Sequence, residues 1–354
     1  MDQRIAFMGA GAVGGYVGGH LAHFGYDVTL IDPWPENVEA VRARGLEISG
    51  MTPEEHLVAR PKILHITEVQ GIAKAKPVDI AFICMKSYDT EWATQMIRQY
   101  LAPDGFVVSL QNCINEDRIA AIVGWGRTVG CVASHIEVEL YEAGKVRRMV
   151  QKGGAHYTVF RLGEVHGRIT KRVEDVAEMI GKIDSIKVTG NLWGERWTKL
   201  AMNGMANGIS AATGLSSVDA NRNDAIRRFA IQLGGEAVRI GRALGYAIET
   251  IGNLDPVRLE AAAGGDGVAL AEIDAVILAG TNARRRSADQ RPSMGQDMRK
   301  GRRTEIEFMN GFIVAKGREA GLAAPANAAL TATVLRVERG EIPPRAENVS
   351  TLRW

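Results

Sequence analysis

The sequence predicts two domains of different class: an α/β domain over residues 1–189 and an all-helical domain over residues 190–354. Short apolar runs alternate with amphipathic segments through the first part, and a glycine-rich turn follows the first of these runs. Beyond Gly190 the runs typical of strands give way to helical spacing. Regular β-α alternation predicts a mostly parallel, doubly wound sheet of the Rossmann type with helices on both faces.

Each element of the first domain is predicted from its apolar pattern. Short apolar runs predict strands at residues 4–8, 27–31, 79–84, 106–110 and 128–134. Apolar residues at helical spacing predict the helices between them at residues 13–24, 35–44 and 90–100. We place the domain boundary near residues 187–191.

The second domain is predicted from longer helical patterns. These patterns cover residues 192–209, 224–244, 302–319 and 326–339. Residues 261–291 are rich in Gly, Ala and Arg and include the triplet at residues 284–286. We expect a loop there, with room for one short helix.

Composition excludes several classes of protein. The chain has 354 residues, 46% hydrophobic and 24% charged, with a formal net charge of +2, which argues against nucleic acid or membrane as a partner. No apolar run reaches the roughly 18 residues that span a bilayer, and the N-terminus reads as a strand rather than a signal peptide. Three separated cysteines and seven histidines without ligand spacing predict a cytoplasmic protein with no metal site.

A glycine-rich segment links the first predicted strand to the first predicted helix. Gly9, Gly11 and Gly14 form G-x-G-x-x-G, with Ala12 and Val13 between the last two. Gly9 permits a tight turn, Gly11 leaves room for a pyrophosphate, and Gly14 allows close packing of helix on strand. Amides at the helix start then face an anionic ligand, so the segment predicts a dinucleotide site.

Asp32 stands at the end of the second predicted strand. A carboxylate there can accept hydrogen bonds from a ribose 2′-hydroxyl and would repel a 2′-phosphate, which predicts NAD(H) rather than NADP(H). Two alternatives remain open. Asp32 is also typical of a surface residue before the turn at Pro33, and Arg42 or Arg44 could reach a phosphate.

The segment at residues 197–207 carries the polar pattern of the second domain. Lys199, Asn203 and Asn207 recur every four residues and would form one stripe along a helix whose flanks are apolar. Polar groups on a mostly buried helix are costly unless they face a ligand, which favours a binding role over a solvated helix face.

A second polar cluster lies further along the chain. Ser293 begins the run Ser-Met-Gly-Gln-Asp, and Glu305 lies beside the apolar stripe of the helix predicted at residues 302–319. From its position alone, Glu305 reads as an ordinary first-turn glutamate favoured by the helix dipole.

Together these segments resemble the ketopantoate reductase family (2-dehydropantoate 2-reductases) over nearly the whole chain. The resemblance is carried by segments that occur in this order: GAGAVGG at residues 9–15, Cys84-Met85-Lys86-Ser87, Gln111-Asn112, W-T-K-x-x-x-N-x-x-x-N from Trp197, S-M-x-Q-D from Ser293, G-R-x-T-E-I-E from Gly301, and Asn310-Gly311.

The resemblance implies roles for individual residues. Lys199 matches the catalytic lysine that protonates a carbonyl oxygen as hydride arrives, and Glu305 matches the glutamate near that lysine. An ammonium suits this chemistry, because it stabilises developing negative charge and delivers a proton. The remaining matches are substrate contacts at Asn203 and Asn207, a serine for the substrate carboxylate at Ser293, and residues near the cofactor and reacting centre at Lys86 and Asn112.

The chain departs from the family pattern at three points that bear on its cofactor and substrate. Family members commonly have a basic residue where this chain has Asp32, and often a glycine where it has Cys113. The Cys113 side chain is expected to narrow the site without acting as a nucleophile. The chain is also longer than a typical member, and we place the extra length at residues 261–291, as pocket wall or subunit contact.

Two reactions therefore remain open for a small-molecule substrate. One is reduction of 2-dehydropantoate, and the other is NAD-dependent oxidation of a different secondary alcohol or hydroxy acid. Lys199 and Glu305 would serve both directions. A protein that only senses NAD(H) would not need these two residues, which disfavours that third reading. Long apolar helix faces favour a homodimer.

Overall fold

The computed structural model describes residues 3–283 and 291–354. The chain divides into two compact units, Met1–Leu192 and Trp193–Trp354, here called unit 1 and unit 2. The arginine triplet at residues 284–286 lies outside the described residues.

Strands are confined to unit 1 within the described residues. They are β1 (Arg4–Met8), β2 (Asp27–Asp32), β3 (Leu46–Ser49), β4 (Leu57–Ala59), β5 (Lys62–His65), β6 (Val78–Ile83), β7 (Leu101–Ser109), β8 (Thr128–Ala133), β9 (Val138–Glu142), β10 (Lys145–Arg148), β11 (Phe160–Glu164) and β12 (Ile186–Val188). The helices that begin in unit 1 are α1 (Ala12–His23), α2 (Pro35–Arg44), α3 (Thr90–Arg98), α4 (Glu116–Val123), α5 (Lys171–Gly181) and α6 (Leu192–Gly204).

Unit 2 contains helices joined by turns. They are α7 (Asn207–Thr213), α8 (Ser217–Arg222), α9 (Asp224–Ala243), α10 (Pro256–Ala263), α11 (Gly267–Ala283), α12 (Ser293–Arg299), α13 (Asn310–Glu319), α14 (Pro325–Glu338) and α15 (Glu347–Ser350). Short 3-10 turns occur in both units, at Pro53–Glu55, Ile66–Lys74, Ser87–Asp89, Trp125–Arg127 and Ile306–Phe308. The predicted fold class, a mostly parallel sheet followed by helices, is confirmed.

The main sheet has eight strands in the order β12-β11-β8-β7-β6-β1-β2-β5. All its pairings are parallel except that of β11 with β8. Strand order reverses between β1 and β6, which is where open α/β sheets bind ligands.

Both faces of this sheet are buried, as a doubly wound fold requires. On β1, Ile5 and Phe7 belong to one apolar core, whereas Ala6 and Met8 belong to the other. The first core includes residues of α1 and α5, and the second includes residues of α3 and α4. Alternate side chains of a strand point to opposite faces, so one strand contributes to both cores.

A second sheet, in the order β4-β3-β10-β9, was not anticipated from the sequence. Its strands have three to five residues, and they carry charged residues such as Glu47 and Lys145. Short charged strands are poorly distinguished from loops by their pattern.

Helix α1 packs closely on both sheets. A side chain at Gly18 would lie 2.7 Å from Leu30 of the main sheet, and one at Gly19 would lie 2.6 Å from Ile48 of the small sheet.

The helical prediction for unit 2 was wrong in three places. The helix expected at residues 192–209 is interrupted between Gly204 and Asn207, and residues 302–309 are a loop and a 3-10 turn before α13. The expected loop at residues 261–291 contains the 17-residue helix α11. Its glycines and alanines suggested a loop, but alanine has the best helix propensity and Gly267 and Gly280 are tolerated near its ends.

Candidate active site

The carboxyl ends of β1, β6 and β7 hold the predicted cofactor residues of unit 1. They carry the glycine turn, the segment Cys84–Lys86 and the pair Gln111-Asn112, respectively. The Cys84 amide donates to the Met8 carbonyl at 2.8 Å, and the Leu110 amide donates to the Ile83 carbonyl at 3.0 Å. These bonds continue the parallel ladders past the strand ends, so three loops meet at one edge.

The glycine turn has the geometry that its pattern predicts. Gly9 adopts a φ of +104°, which favours glycine. A side chain at Gly14 would lie 2.0 Å from the Gly9 carbonyl oxygen, whereas one at Gly11 would meet no protein atom within 4 Å. Gly11, Ala12 and Val13 are half-buried, between buried neighbours. The open space therefore lies in front of the amides that begin α1, as a pyrophosphate requires.

Asp32 lies directly behind this turn. It is 6% exposed, and its Oδ2 accepts a hydrogen bond from the Ala10 amide at 2.6 Å. Its Oδ1 accepts one from the Trp34 amide at 3.0 Å. The carboxylate is thus oriented by the backbone on both sides.

The two arginines considered for a 2′-phosphate have other partners. Arg42 forms an ion pair with Glu68 and donates to the Ile63 carbonyl at 3.2 Å. Arg44 donates to the Ala143 carbonyl at 3.5 Å. Both side chains leave from the last turn of α2.

Polar side chains fasten the loops after β6 and β7 together. The buried amide of Gln111 donates to the Met85 carbonyl at 2.8 Å and to the Thr90 hydroxyl at 2.9 Å. The Asn115 amide donates to the Ser87 hydroxyl at 3.2 Å and to the Asn112 carbonyl at 3.0 Å. No role was predicted for Gln111 or Asn115 from the sequence, although buried amides beside a predicted site are a usable signal.

Lys86 and Asn112 are both half-buried in these fastened loops. Lys86 precedes the 3-10 turn Ser87–Asp89, and Asn112 precedes Cys113. The structure therefore brings the two residues to the edge that carries the glycine turn.

Two cysteines lie at the same edge. Cys113 is 4% exposed and adopts a φ of +64°, a left-handed conformation that favours glycine. Cys84 lies beneath the turn, where a side chain at Gly14 would come within 2.9 Å of its Cβ. Burial raises the pKa of the Cys84 thiol well above its ordinary value, so this sulfur is protonated at neutral pH.

Lys199 lies half-buried on α6, next to two residues that anchor this helix. The indole of Trp197 is fully buried and donates to the Ala237 carbonyl at 2.8 Å. The Thr198 hydroxyl donates to the Gly194 carbonyl at 2.7 Å and accepts from the Glu249 amide at 2.9 Å. These contacts fix the rotation of the helix and hence the direction in which Lys199 leaves it.

The predicted stripe from Lys199 to Asn207 is broken by the interruption after α6. Asn207 begins α7, is 6% exposed, and donates from Nδ2 to the Asn203 carbonyl at 3.1 Å. Its Oδ1 accepts from the Met294 amide at 3.3 Å, in the first turn of α12. Asn207 therefore joins the lysine helix to the segment that begins with Ser293, and Asn203 is half-buried.

Glu305 is not in a helix, contrary to expectation. It precedes the 3-10 turn Ile306–Phe308 and is 4% exposed. The neighbouring Thr304 donates from both its amide and its hydroxyl to Glu338, at 2.8 and 2.6 Å. The earlier reading of Glu305 as an ordinary first-turn glutamate is wrong, because α13 begins only at Asn310.

A buried polar network, which was not predicted from the sequence, holds the end of α6 in place. The carboxylate of Glu236, 2% exposed, accepts from the Ala326 and Asn327 amides at 2.9 and 3.0 Å and from the Asn327 side chain at 2.8 Å. The Asn310 amide donates to Asn327 at 2.8 Å and to the Gly204 carbonyl at 3.1 Å. The network thus ties the end of α6 to α9, α13 and α14.

Metal sites and membrane spans are both absent from the described part of the chain. Residues 3–283 and 291–354 contain no group of three or more His, Cys, Asp or Glu side chains that could hold a metal ion. No helix among these residues is both long and apolar enough to cross a membrane. Burial lowers the pKa of His20 to about 4, so this histidine is a neutral core residue.

Family models match both units. Residues 5–160 match the model described as Ketopantoate reductase PanE/ApbA, and residues 191–338 match the model of its C-terminal domain. A 2-dehydropantoate 2-reductase of Pyrococcus horikoshii is 31% identical, covering 94% of this chain and 96% of its own.

Solved structures agree with these models. A PanE/ApbA family ketopantoate reductase from Ralstonia eutropha is 27% identical with a TM-score of 0.76, over 96% of this chain and 99% of that one. A D-mandelate dehydrogenase in complex with NADH and anilino(oxo)acetate shares the fold, with a TM-score of 0.76 and 21% identity, over 96% of this chain and 99% of that one. The chain therefore belongs to the ketopantoate reductase family of oxidoreductases.

Proposed function

We propose that the protein is a nicotinamide-dependent dehydrogenase or reductase that acts on a 2-oxo or 2-hydroxy acid. The glycine turn carries the proposal, because Gly11 faces open space at the reversal of strand order. A nicotinamide cofactor held there supplies the hydride, and the protein supplies orientation and the proton.

Lys199 is assigned as general acid and base. In the reductive direction its ammonium donates a proton from Nζ to the carbonyl oxygen of the substrate as negative charge develops there. In the oxidative direction the neutral amine accepts the hydroxyl proton. The anchors at Trp197 and Thr198 support this role, because they fix the base of the Lys199 side chain.

The other predicted residues are assigned to binding. Glu305, 4% exposed, is a carboxylate suited to keeping a nearby ammonium charged. Ser293 is assigned to the substrate carboxylate and Asn203 to the substrate's polar groups. The side-chain amide of Asn207 is hydrogen-bonded to the Asn203 carbonyl and to the Met294 amide. We therefore assign Asn207 to positioning Asn203 and Ser293 as well as to contacting the substrate.

The preferred cofactor is proposed to be NAD(H). Asp32 is oriented by two backbone amides at the end of β2, where a carboxylate favours ribose hydroxyls and repels a 2′-phosphate. Arg42 and Arg44 are held by Glu68, Ile63 and Ala143, which supports this preference. Several ketopantoate reductases match the chain, and a D-mandelate dehydrogenase that binds NADH shares its fold.

Two substrates are consistent with the same residues. Reduction of 2-dehydropantoate is favoured by the family, whereas NAD-dependent oxidation of another 2-hydroxy acid is favoured by Asp32. Oxidation of another 2-hydroxy acid is retained as an alternative because Asp32 distinguishes this chain from family members that have a basic residue at the end of the second strand.

A substrate and cofactor screen tests the proposal. Ketopantoate, pantoate and mandelate would be assayed with NADH, NADPH and the oxidised forms. We expect turnover with NADH or NAD⁺, and an Asp32→Ala variant should lose at least about tenfold of the preference for NAD(H) over NADP(H). Asp27→Ala, which removes the Lys62 partner at the other end of β2, is the matched control. Cofactor binding without turnover of any acid would point to a sensor instead.

A further inference from the structure

We propose that Asn37 is a positioning residue of the cofactor site, which fixes the peptide group between Ala10 and Gly11 so that the Gly11 N–H faces the pyrophosphate. The inference rests on the dinucleotide function proposed above. It adds a residue that lies outside the glycine motif, on the next helix along the chain.

Asn37 is a completely buried amide in the first turn of α2. Its Nδ2 donates to the Ala10 carbonyl at 3.2 Å, and its Oδ1 accepts from the Gly144 amide at 2.9 Å. The second bond defines the first, because Oδ1 must face the Gly144 donor and Nδ2 must then face Ala10. Gly144 lies in the turn between β9 and β10, so the small sheet holds Asn37 in place.

Peptide planarity carries this constraint to the ligand side. In a trans peptide the carbonyl of one residue and the N–H of the next point in opposite directions. Asn37 holds the Ala10 carbonyl toward the protein, and the Gly11 N–H therefore points away from Asn37. A side chain at Gly11 would meet no protein atom within 4 Å, so there is room for a ligand at this residue.

Asp32 fixes the preceding peptide in the same way. Its carboxylate accepts from the Ala10 amide at 2.6 Å, which directs the Gly9 carbonyl to the opposite side, toward Gly14. Two consecutive peptide groups are thus set by two side chains of different chemistry. Asp32 also stands where the adenine ribose is expected, whereas Asn37 is buried and acts only through the backbone.

The test compares ligands with and without a pyrophosphate. Dissociation constants of NADH, ADP-ribose and adenosine would be measured for the wild type, Asn37→Ala and Asn37→Asp. The aspartate variant keeps an acceptor for Gly144 but faces the Ala10 carbonyl with a second acceptor. Thr170→Val, which removes a 2.5 Å bond to Glu164 elsewhere in unit 1, controls for loss of stability.

We expect both Asn37 variants to bind NADH and ADP-ribose at least about tenfold more weakly, which is the effect of losing one charge-assisted hydrogen bond to the pyrophosphate. Adenosine has no pyrophosphate, so its affinity should change by less than about twofold. Wild-type affinity for NADH in Asn37→Asp would overturn the inference. Equal weakening of all three ligands would also overturn it, because Asn37 would then only support the fold. A wild type that binds none of them would refute the proposed function itself.

Discussion

The glycine turn of unit 1 and the Lys199 region of unit 2 are built on opposite principles. In the turn, the proposed cofactor binding depends on backbone amides, and nearby residues such as Asp32 and Asn37 orient peptide groups. In the Lys199 region, the proposed catalysis depends on side chains whose helices are held by distant partners such as Ala237 and Glu249. A backbone site is therefore sensitive to added atoms, and a side-chain site to lost ones.

The largest expected effect is loss of the proposed proton donor in unit 2. Lys199→Ala should lower kcat about 100-fold or more, since general acid catalysis contributes roughly that much. Cofactor affinity should stay unchanged. Steady-state and binding measurements on this variant and on Lys171→Ala, which removes an exposed ion pair with Asp175 in unit 1, would check this. A near-normal rate would exclude Lys199 from the mechanism.

The buried network of unit 2 should be the next most sensitive feature. Glu236→Ala leaves three buried donors on Ala326 and Asn327 without their acceptor, which should lower the free energy of unfolding by about 3 kcal/mol. Glu260→Ala, which breaks a partly exposed pair with Arg242, should cost about 1 kcal/mol or less. Urea unfolding would measure both, and equal losses would contradict the role of the network.

Substitutions at two glycines of the turn should affect the stability of the fold and the affinity for the cofactor separately. Gly14→Ala should lower the free energy of unfolding by about 2 kcal/mol, because its side chain would overlap the Gly9 carbonyl. Gly11→Ala should leave stability nearly unchanged yet weaken NADH binding about tenfold, because its methyl group enters the space assigned to the pyrophosphate. Thermal unfolding and fluorescence titration would reveal whether the two effects divide in this way.

The smallest expected effect is at Cys113. Its left-handed φ of +64° costs about 1 kcal/mol for a residue other than glycine, so Cys113→Gly should change the unfolding free energy by less than about 1 kcal/mol. A β-branched residue fits this conformation poorly, and Cys113→Val should be clearly more destabilising than Cys131→Val on strand β8. Similar stabilities of the two valine variants would argue against strain at residue 113.

The difference between the two regions also explains which parts of the site the sequence could predict. Gly9, Gly11, Gly14 and Asp32 lie at one sheet edge, because the motif encodes local geometry and the parallel topology brings strand ends together. The cofactor assignment and Lys199 chemistry remain predictions. Family resemblance pointed to the segments of the candidate site, but it predicted neither the interruption after Gly204 nor the non-helical position of Glu305.

What escaped prediction depends on contacts that are distant in sequence. Glu236 and Asn327 are 91 residues apart, and Asn37 and Gly144 are 107 residues apart. No periodicity links such pairs, and each residue alone reads as an ordinary polar position on a helix or turn. The small sheet was missed for the same reason, since β3 pairs with β10 across nearly a hundred residues.

The placement of the cysteines offers a way to observe the two units separately. All three, Cys84, Cys113 and Cys131, belong to unit 1. Cys113 and Cys131 are buried, and burial keeps the Cys84 thiol protonated. A thiol reagent at neutral pH should therefore react with Cys113 and Cys131 only when unit 1 opens, while unit 2 has no cysteine to label. The alkylation rate of these two buried thiols in the native protein would therefore report the opening of unit 1 alone.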